Sequence, residues 1–228
     1  MKVLAVIHSH EAGPELFAEV LAEDGHELVE WDIRTQGAPP LDVDAVMVFG
    51  GDQNVGEEVQ HPWLHEEYDA LRRWVDGGTP LLGVCLGAQT LAHAFGATVG
   101  PARETLAGFY DRTLTDAGVV DPVVGVLPRN FEAFNANAYT FDAPEGATPL
   151  AEGPVLQAFR LGERTWALQF HPEIRRDHVL TWFEDEGSRQ TPAEIAAQLD
   201  EKLVEWQVHG RRLCRAFLAE AEAAVSAR

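Results

Sequence analysis

The sequence predicts an α/β fold: a doubly wound, mostly parallel sheet with an antiparallel extension and a C-terminal helical appendix. Three observations carry this. Apolar runs without interior polar alternation recur through the first hundred residues, helical stretches separate them, and beyond Gly100 the runs shorten and begin to alternate. A strand buried on both faces reads as a continuous apolar run, the mark of a parallel sheet covered by helices on two sides.

Taken in order, Val3 to Ile7 is a β-branched apolar run, and Pro14 to Asp24 follows with helical spacing at Leu16, Val20 and Leu21 before Gly25 stops it. Leu28 to Ile33 alternates as a strand, and Ala45 to Phe49 is a buried run ending in Gly50-Gly51. Trp63 to Val75 is helical, with Leu64, Tyr68, Leu71, Trp74 and Val75 on one face. Pro80 to Val84 is a short apolar run that passes directly into a helix from Leu86 to Phe95, closed by Gly96. In the second half, prolines punctuate the chain, and Val155 to Leu161 and Thr165 to Phe170 flank Gly162-Glu163 as a hairpin. Two helical stretches close the chain. The second opens with Thr191-Pro192-Ala193-Glu194, a capping box with proline at the first helical position, and Gly210 is expected to interrupt it. Without repeats or a low-complexity linker, the reading is one domain over 1–228, of which 175–228 form the helical tail.

The chain carries 37 acidic against 17 basic residues, a formal net charge of −20, and the basic residues are 15 Arg and 2 Lys. Phosphate backbones and anionic lipids bind by neutralisation with Lys and Arg, so neither nucleic acid nor membrane is expected as a partner. The opening apolar run ends at His8-Ser9-His10, too short for a leader, and no stretch approaches the ~20 apolar residues that cross a bilayer. A cytoplasmic protein is expected. Its two cysteines, Cys85 and Cys214, lie far apart without a C-x-x-C spacing, so free thiols are expected rather than a disulfide framework.

The sharpest local signal is Gly83-Val84-Cys85-Leu86-Gly87, a G-x-C-x-G sequence between a strand and a helix. The analogous serine turn places a nucleophile on a strained strand-to-helix corner, where flanking glycines avoid clashes and the next backbone N–H faces an oxyanion. A helix N-terminus also favours a thiolate. Taken alone, Cys85 fits a buried filler equally well. Gln169-Phe170-His171-Pro172-Glu173 supplies the context: a strand that ends in histidine, with a carboxylate two residues on. A cysteine nucleophile needs a base, and the base needs an orienting acceptor. Both corners fall at carboxyl ends of strands, where such sheets bind ligands. Phe49-Gly50-Gly51-Asp52 adds a glycine pair after a buried strand, from which Gly51 or Asp52 can present a second oxyanion N–H beside Leu86.

These motifs together resemble the class I, triad-type glutamine amidotransferase family, whose members release ammonia from glutamine. The likeness runs from the first strand to His171-Pro172-Glu173 and is nearest to stand-alone members related to the glutaminase domain of GMP synthase. The resemblance implies a flavodoxin-like sheet, Cys85 as nucleophile, His171 as base, Glu173 as its orienter, and Gln89 as a contact to the main-chain groups of glutamine. It implies no cofactor. Asp52 stands where the family commonly has proline. Phe134-Asn135-Ala136-Asn137-Ala138-Tyr139, before Phe141-Asp142-Ala143-Pro144, replaces an aromatic-His segment, so Asn137 and Tyr139 are candidate substrate contacts.

The expected activity is a glutaminase that passes through a γ-glutamyl thioester, with the ammonia going to a separate synthase subunit or being lost. Two alternatives stay open: a γ-glutamyl hydrolase or peptidase acting on a conjugate, and a non-catalytic binding or regulatory module on the same fold. Other residues read less sharply. His61 and His65, four apart on a helix, lack the Glu or Cys that would complete a metal site, so no metal is expected. His8 and His10 read as loop residues, Trp206 and Phe217 as helix packing, and Cys214 as a small apolar filler.

Overall fold

A computed structural model of the 228-residue chain describes residues 1–183 and 191–227, so residues 184–190 and Arg228 of the expected tail lie outside the described residues. The elements run β1 (Lys2–Ile7), α1 (Glu15–Glu23), β2 (Glu27–Asp32), α2 (Ile33–Gln36), β3 (Ala45–Val48), α3 (Trp63–Asp76), β4 (Leu81–Val84), α4 (Leu86–Ala94), β5 (Val99–Leu114), α5 (Asp116–Val119), β6 (Asn130–Phe141), β7 (Thr148–Glu152), β8 (Leu156–Leu161), β9 (Thr165–Leu168), α6 (Arg176–Thr181) and α7 (Pro192–Ser226).

They build one nine-stranded sheet in the order β2-β1-β3-β4-β9-β8-β7-β5-β6. The first five strands in that order are parallel, and β9 closes the parallel half by pairing with β4. The remaining strands are antiparallel, with β8 and β9 forming the expected hairpin. Alternate residues of the central strands feed two separate cores. Val3, Ala5, Met47 and Leu82 face α1 and α7, while Leu4, Val46, Val48 and Leu81 face α3 and α4. Every residue of β3 and β4 is buried, which is why those strands read as unbroken apolar runs.

The structure departs from the sequence reading in four places. Ile33 opens the short α2 instead of closing β2, because the Asp32 carboxylate caps the Arg34 N–H at 3.0 Å. The region after Gly100 holds two long strands, β5 and β6, paired antiparallel from Val99↔Phe141 to Thr113↔Asn130. Third, α7 runs unbroken through Gly210. A Cβ there would lie 2.0 Å from the Pro172 carbonyl oxygen, so glycine serves a close crossing and not a helix stop. The expected helical tail packs closely on the sheet. It buries Ile195, Leu199, Trp206, Leu213, Cys214 and Phe217 against the sheet, each larger apolar side chain contributing about 1.5–3 kcal/mol of transfer free energy. Fourth, His61 precedes α3, so His61 and His65 do not share a helix. Among the described residues, no cluster of His, Cys, Asp or Glu is arranged to hold a metal, and no helix is long and apolar enough to cross a membrane.

Candidate active site

Four adjacent parallel strands, β1, β3, β4 and β9, end at the same edge of the sheet. The loops leaving them supply Ser9 and Glu11, Gly51 to Asn54, Cys85, and His171 to the lining of one cavity of about 590 Å³. That size lies within the roughly 300–1,000 Å³ range of small-molecule sites. The opposite wall comes from β5 and β6, with Leu106, Asn137 and Tyr139, and the rim from Trp182 and Phe183.

Cys85 occupies the corner between β4 and α4 with φ 53° and ψ −109°, in the left-handed half of the map that side chains avoid. Such a conformation costs on the order of 1–3 kcal/mol and persists only where its surroundings over-determine it. Here they do. The Cys85 N–H donates to the Leu168 carbonyl at 2.8 Å, and its carbonyl accepts from Ala88 and Gln89. Gly83 and Gly87 permit the corner: a Cβ on Gly83 would stand 2.6 Å from the Gly87 carbonyl oxygen, and one on Gly87 would stand 2.2 Å from that of Val48. Leu86 is the first residue of α4, so its N–H has no acceptor within the helix.

His171 follows β9 and is buried. Its backbone N–H donates to the Phe134 carbonyl at 2.8 Å, its carbonyl accepts from the Trp206 indole at 2.8 Å, and the Trp182 ring lies 5.1 Å from its own. Nδ1–H donates to Glu173 Oε1 at 2.8 Å, which leaves Nε2 without a partner among the described residues. Burial works against the imidazolium, but the Glu173 charge, and after it Cys85, outweigh that and push the His171 pKa up to about 10. Cys85 and His171 meet at Gly50: a Cβ there would lie 3.2 Å from His171 Cε1 and 3.6 Å from Cys85 Cβ. Only a glycine leaves the space between the two side chains open. The thiol itself donates to the Ala136 carbonyl at 3.7 Å.

The structure brings Cys85, His171, Gly51, Asp52, Gln89, Asn137 and Tyr139 to the cavity, with Glu173 behind the histidine. Gln89 Nε2 donates to the Tyr139 carbonyl and to Gln169 Oε1, both at 3.2 Å, so its amide is turned by the neighbouring strands. Asn135 is not in the cavity. It accepts from the buried Arg112 guanidinium at 2.7 Å and passes the contact on, donating to Asn137 Oδ1 at 3.1 Å and to Gln157 Oε1 at 3.2 Å. Burial pulls the Arg112 pKa down to about 10. Asn137 in turn donates to the Tyr139 carbonyl at 3.0 Å. His10 is exposed, and His8 is fully buried beneath the glycine loop, so neither lines the cavity. Cys214 is a buried filler whose thiol pKa burial pushes up. Leu106, Trp182 and Phe183 carried no sequence signal, because only the β5–β6 pairing and the turn after α6 bring them to the mouth.

The model of class I glutamine amidotransferases matches residues 17–179, which contain Cys85, His171, Glu173 and the Gly50-Gly51 pair. The chain belongs to that family. GMP synthase [glutamine-hydrolyzing] of Corynebacterium glutamicum is 34% identical over 222 residues, covering 90% of this chain and 38% of that protein. The chain spans between a fifth and two fifths of the length of the GMP synthases it matches. Two solved structures share the amidotransferase fold at TM-score 0.85: a glutamine amidotransferase from Thermotoga maritima, 23% identical, covering 95% of this chain and 98% of that one, and a glutamine amidotransferase from Methylobacillus flagellatus, 20% identical, covering 96% and 94%.

Proposed function

We propose that this class I amidotransferase chain hydrolyses the side-chain amide of glutamine through a thioester on Cys85, with residues 1–228 acting as one unit. The observation that carries this is the strained Cys85 corner beside a buried imidazole, both side chains lining the space above Gly50, with Glu173 on the far ring nitrogen. The Cys85 thiolate attacks the amide carbon, and the N–H groups of Leu86 and Gly51 hold the resulting oxyanion. As the C–N bond breaks, the His171 imidazolium gives its proton to the leaving nitrogen, which departs as ammonia. His171 then takes a proton from water, the hydroxide adds to the thioester, and the C–S bond breaks to release glutamate and regenerate the thiolate. Glu173 holds one tautomer and orientation of the ring throughout. Gln89, Asn137, Tyr139 and Asp52 contact the substrate. Ammonia passes to a synthase on a separate chain or leaves to solvent, in a cytoplasmic setting.

A second reading, hydrolysis of a γ-glutamyl conjugate, is favoured by the cavity. The ten non-hydrogen atoms of glutamine, even at the ~30 Å³ share of a liquid water each, take up about 300 Å³, against about 590 Å³ here. Comparing ammonia release from glutamine with amine release from γ-glutamyl amides of increasing size separates the two. A higher kcat/KM for glutamine supports the glutaminase, a higher one for a conjugate the hydrolase. Absence of any turnover, with no adduct on Cys85 from a glutamine-analogue alkylator, would leave a binding module.

A further inference from the structure

His8 leaves the carboxyl end of β1 directly beneath the glycine pair, and none of its surface is accessible. Its Nδ1 stands 3.1 Å from the Phe49 carbonyl oxygen and 3.2 Å from that of Gly50, and its Nε2 stands 2.5 Å from Glu67 Oε2 on α3. Both ring nitrogens therefore face acceptors. Nδ1 carries a hydrogen that it donates to the two carbonyls, and a further proton lies between Nε2 and the Glu67 carboxylate. The Trp63 ring stacks on the imidazole at 5.2 Å. Burial opposes the charged ring, but the Glu67 charge and hydrogen bonds raise the His8 pKa above the ordinary imidazole value.

The consequence lies in the peptide plane. In a trans peptide the carbonyl of one residue and the N–H of the next point in opposite directions. The Gly50 carbonyl points down at His8, so the Gly51 N–H points up, to the side where Gly51 and Cys85 line the cavity and His8 does not. A Cβ on Gly51 would lie 2.6 Å from His8 Cβ, so the loop rests directly on the histidine side chain. Glycines at 50 and 51 make this peptide easy to rotate, and an unanchored one would sample the flipped state with its carbonyl in the cavity.

We propose that His8 is a positioning residue, locked by Glu67, which clamps the Gly50–Gly51 peptide so that the Gly51 N–H points at the oxyanion. This rests on the hydrolytic reading above and deepens it. The test replaces His8 by Phe, which keeps the stacking on Trp63 and removes the donor. Loss of one oxyanion donor costs about 10²–10³ in kcat. The expected result is a kcat about 100-fold lower, KM within threefold, and alkylation of Cys85 by iodoacetamide within twofold of wild type, because that displacement builds no oxyanion. A kcat within threefold overturns the proposal, as does an equal loss of alkylation, which would make His8 a support of the whole corner. Glu67→Gln still accepts from one tautomer of His8 and is expected to fall between the two. A loss as large as that of His8→Phe overturns the donor role. If wild-type chain hydrolyses no γ-glutamyl amide, the functional reading fails by itself, and the peptide orientation in a crystal of His8→Phe decides the clamp: a flipped Gly50–Gly51 peptide supports it and an unchanged one overturns it.

Discussion

The two walls of the cavity are held by different means. On the Cys85 wall, backbone packs on backbone: Gly83 on the Gly87 carbonyl, Gly87 on the Val48 carbonyl, and Gly210 of α7 on the Pro172 carbonyl behind His171. No Cβ fits at any of these contacts, so Cys85 and His171 sit on a frame that cannot relax. On the facing wall, Asn135, Asn137 and Gln157 form a web of side-chain amides backed by Arg112. Amides of this kind exchange partners at a net cost of about 1 kcal/mol per hydrogen bond. The difference teaches that one wall is fixed by backbone contacts that admit no side chain, and the other by side-chain hydrogen bonds that substitution can rearrange.

That contrast is broken or sharpened by four measurements. The largest effect is expected for Cys85→Ala, which keeps the Cβ and the corner while removing the sulfur: turnover falls at least about 10⁴-fold, with an unchanged circular dichroism spectrum. Residual turnover above that level would move the chemistry to another group. Next comes Glu173→Gln, expected to lower kcat by about 10³-fold through loss of the ring orientation. It also carries a pH signature. The folded His171 holds its proton to about pH 10, while an unfolded histidine releases it near 6.5. The pair therefore stabilises the fold fully below 6.5 and loses that contribution as pH rises toward 10. In urea titrations the stability gap between wild type and Glu173→Gln is expected to narrow between pH 6 and pH 10, and a constant gap would contradict the pairing.

Third, Gly87→Ala drives a methyl into the Val48 carbonyl and is expected to cost about 3 kcal/mol or to prevent folding, whereas Gly100→Ala, with open space around it, changes stability by less than about 0.5 kcal/mol. Similar urea midpoints for the two would end the claim that the corner is over-determined. The smallest effect belongs to the amide wall. Asn137→Ala is expected to raise KM about 5- to 10-fold with kcat within threefold, the size of one hydrogen bond, and a kcat loss matching that of Glu173→Gln would erase the distinction between the walls.

Much of this frame is legible locally. Strand β4, the Gly83–Gly87 turn and α4 follow from an apolar run, two glycines and helical spacing within fifteen residues, because the forces that make them act between near neighbours. The same holds for the capping box at Thr191. The long β5–β6 ladder is not legible that way. Its residues alternate only over short stretches, and their pairing is stabilised by partners up to 42 positions away, as in Val99↔Phe141.

By itself, then, the amino-acid order determined most of the strands and helices in the first hundred residues, the short α2 excepted, and that a thiol, an imidazole and a carboxylate stand at strand ends. Tertiary structure alone decided that those ends coincide, that Gly210 is a crossing and not a stop, and that His8 meets a carboxylate 59 positions on. The reason is range. Backbone propensity and side-chain periodicity act over a few residues, whereas a glycine's missing methyl or a buried histidine's second proton acquires meaning only from the atom the fold sets against it.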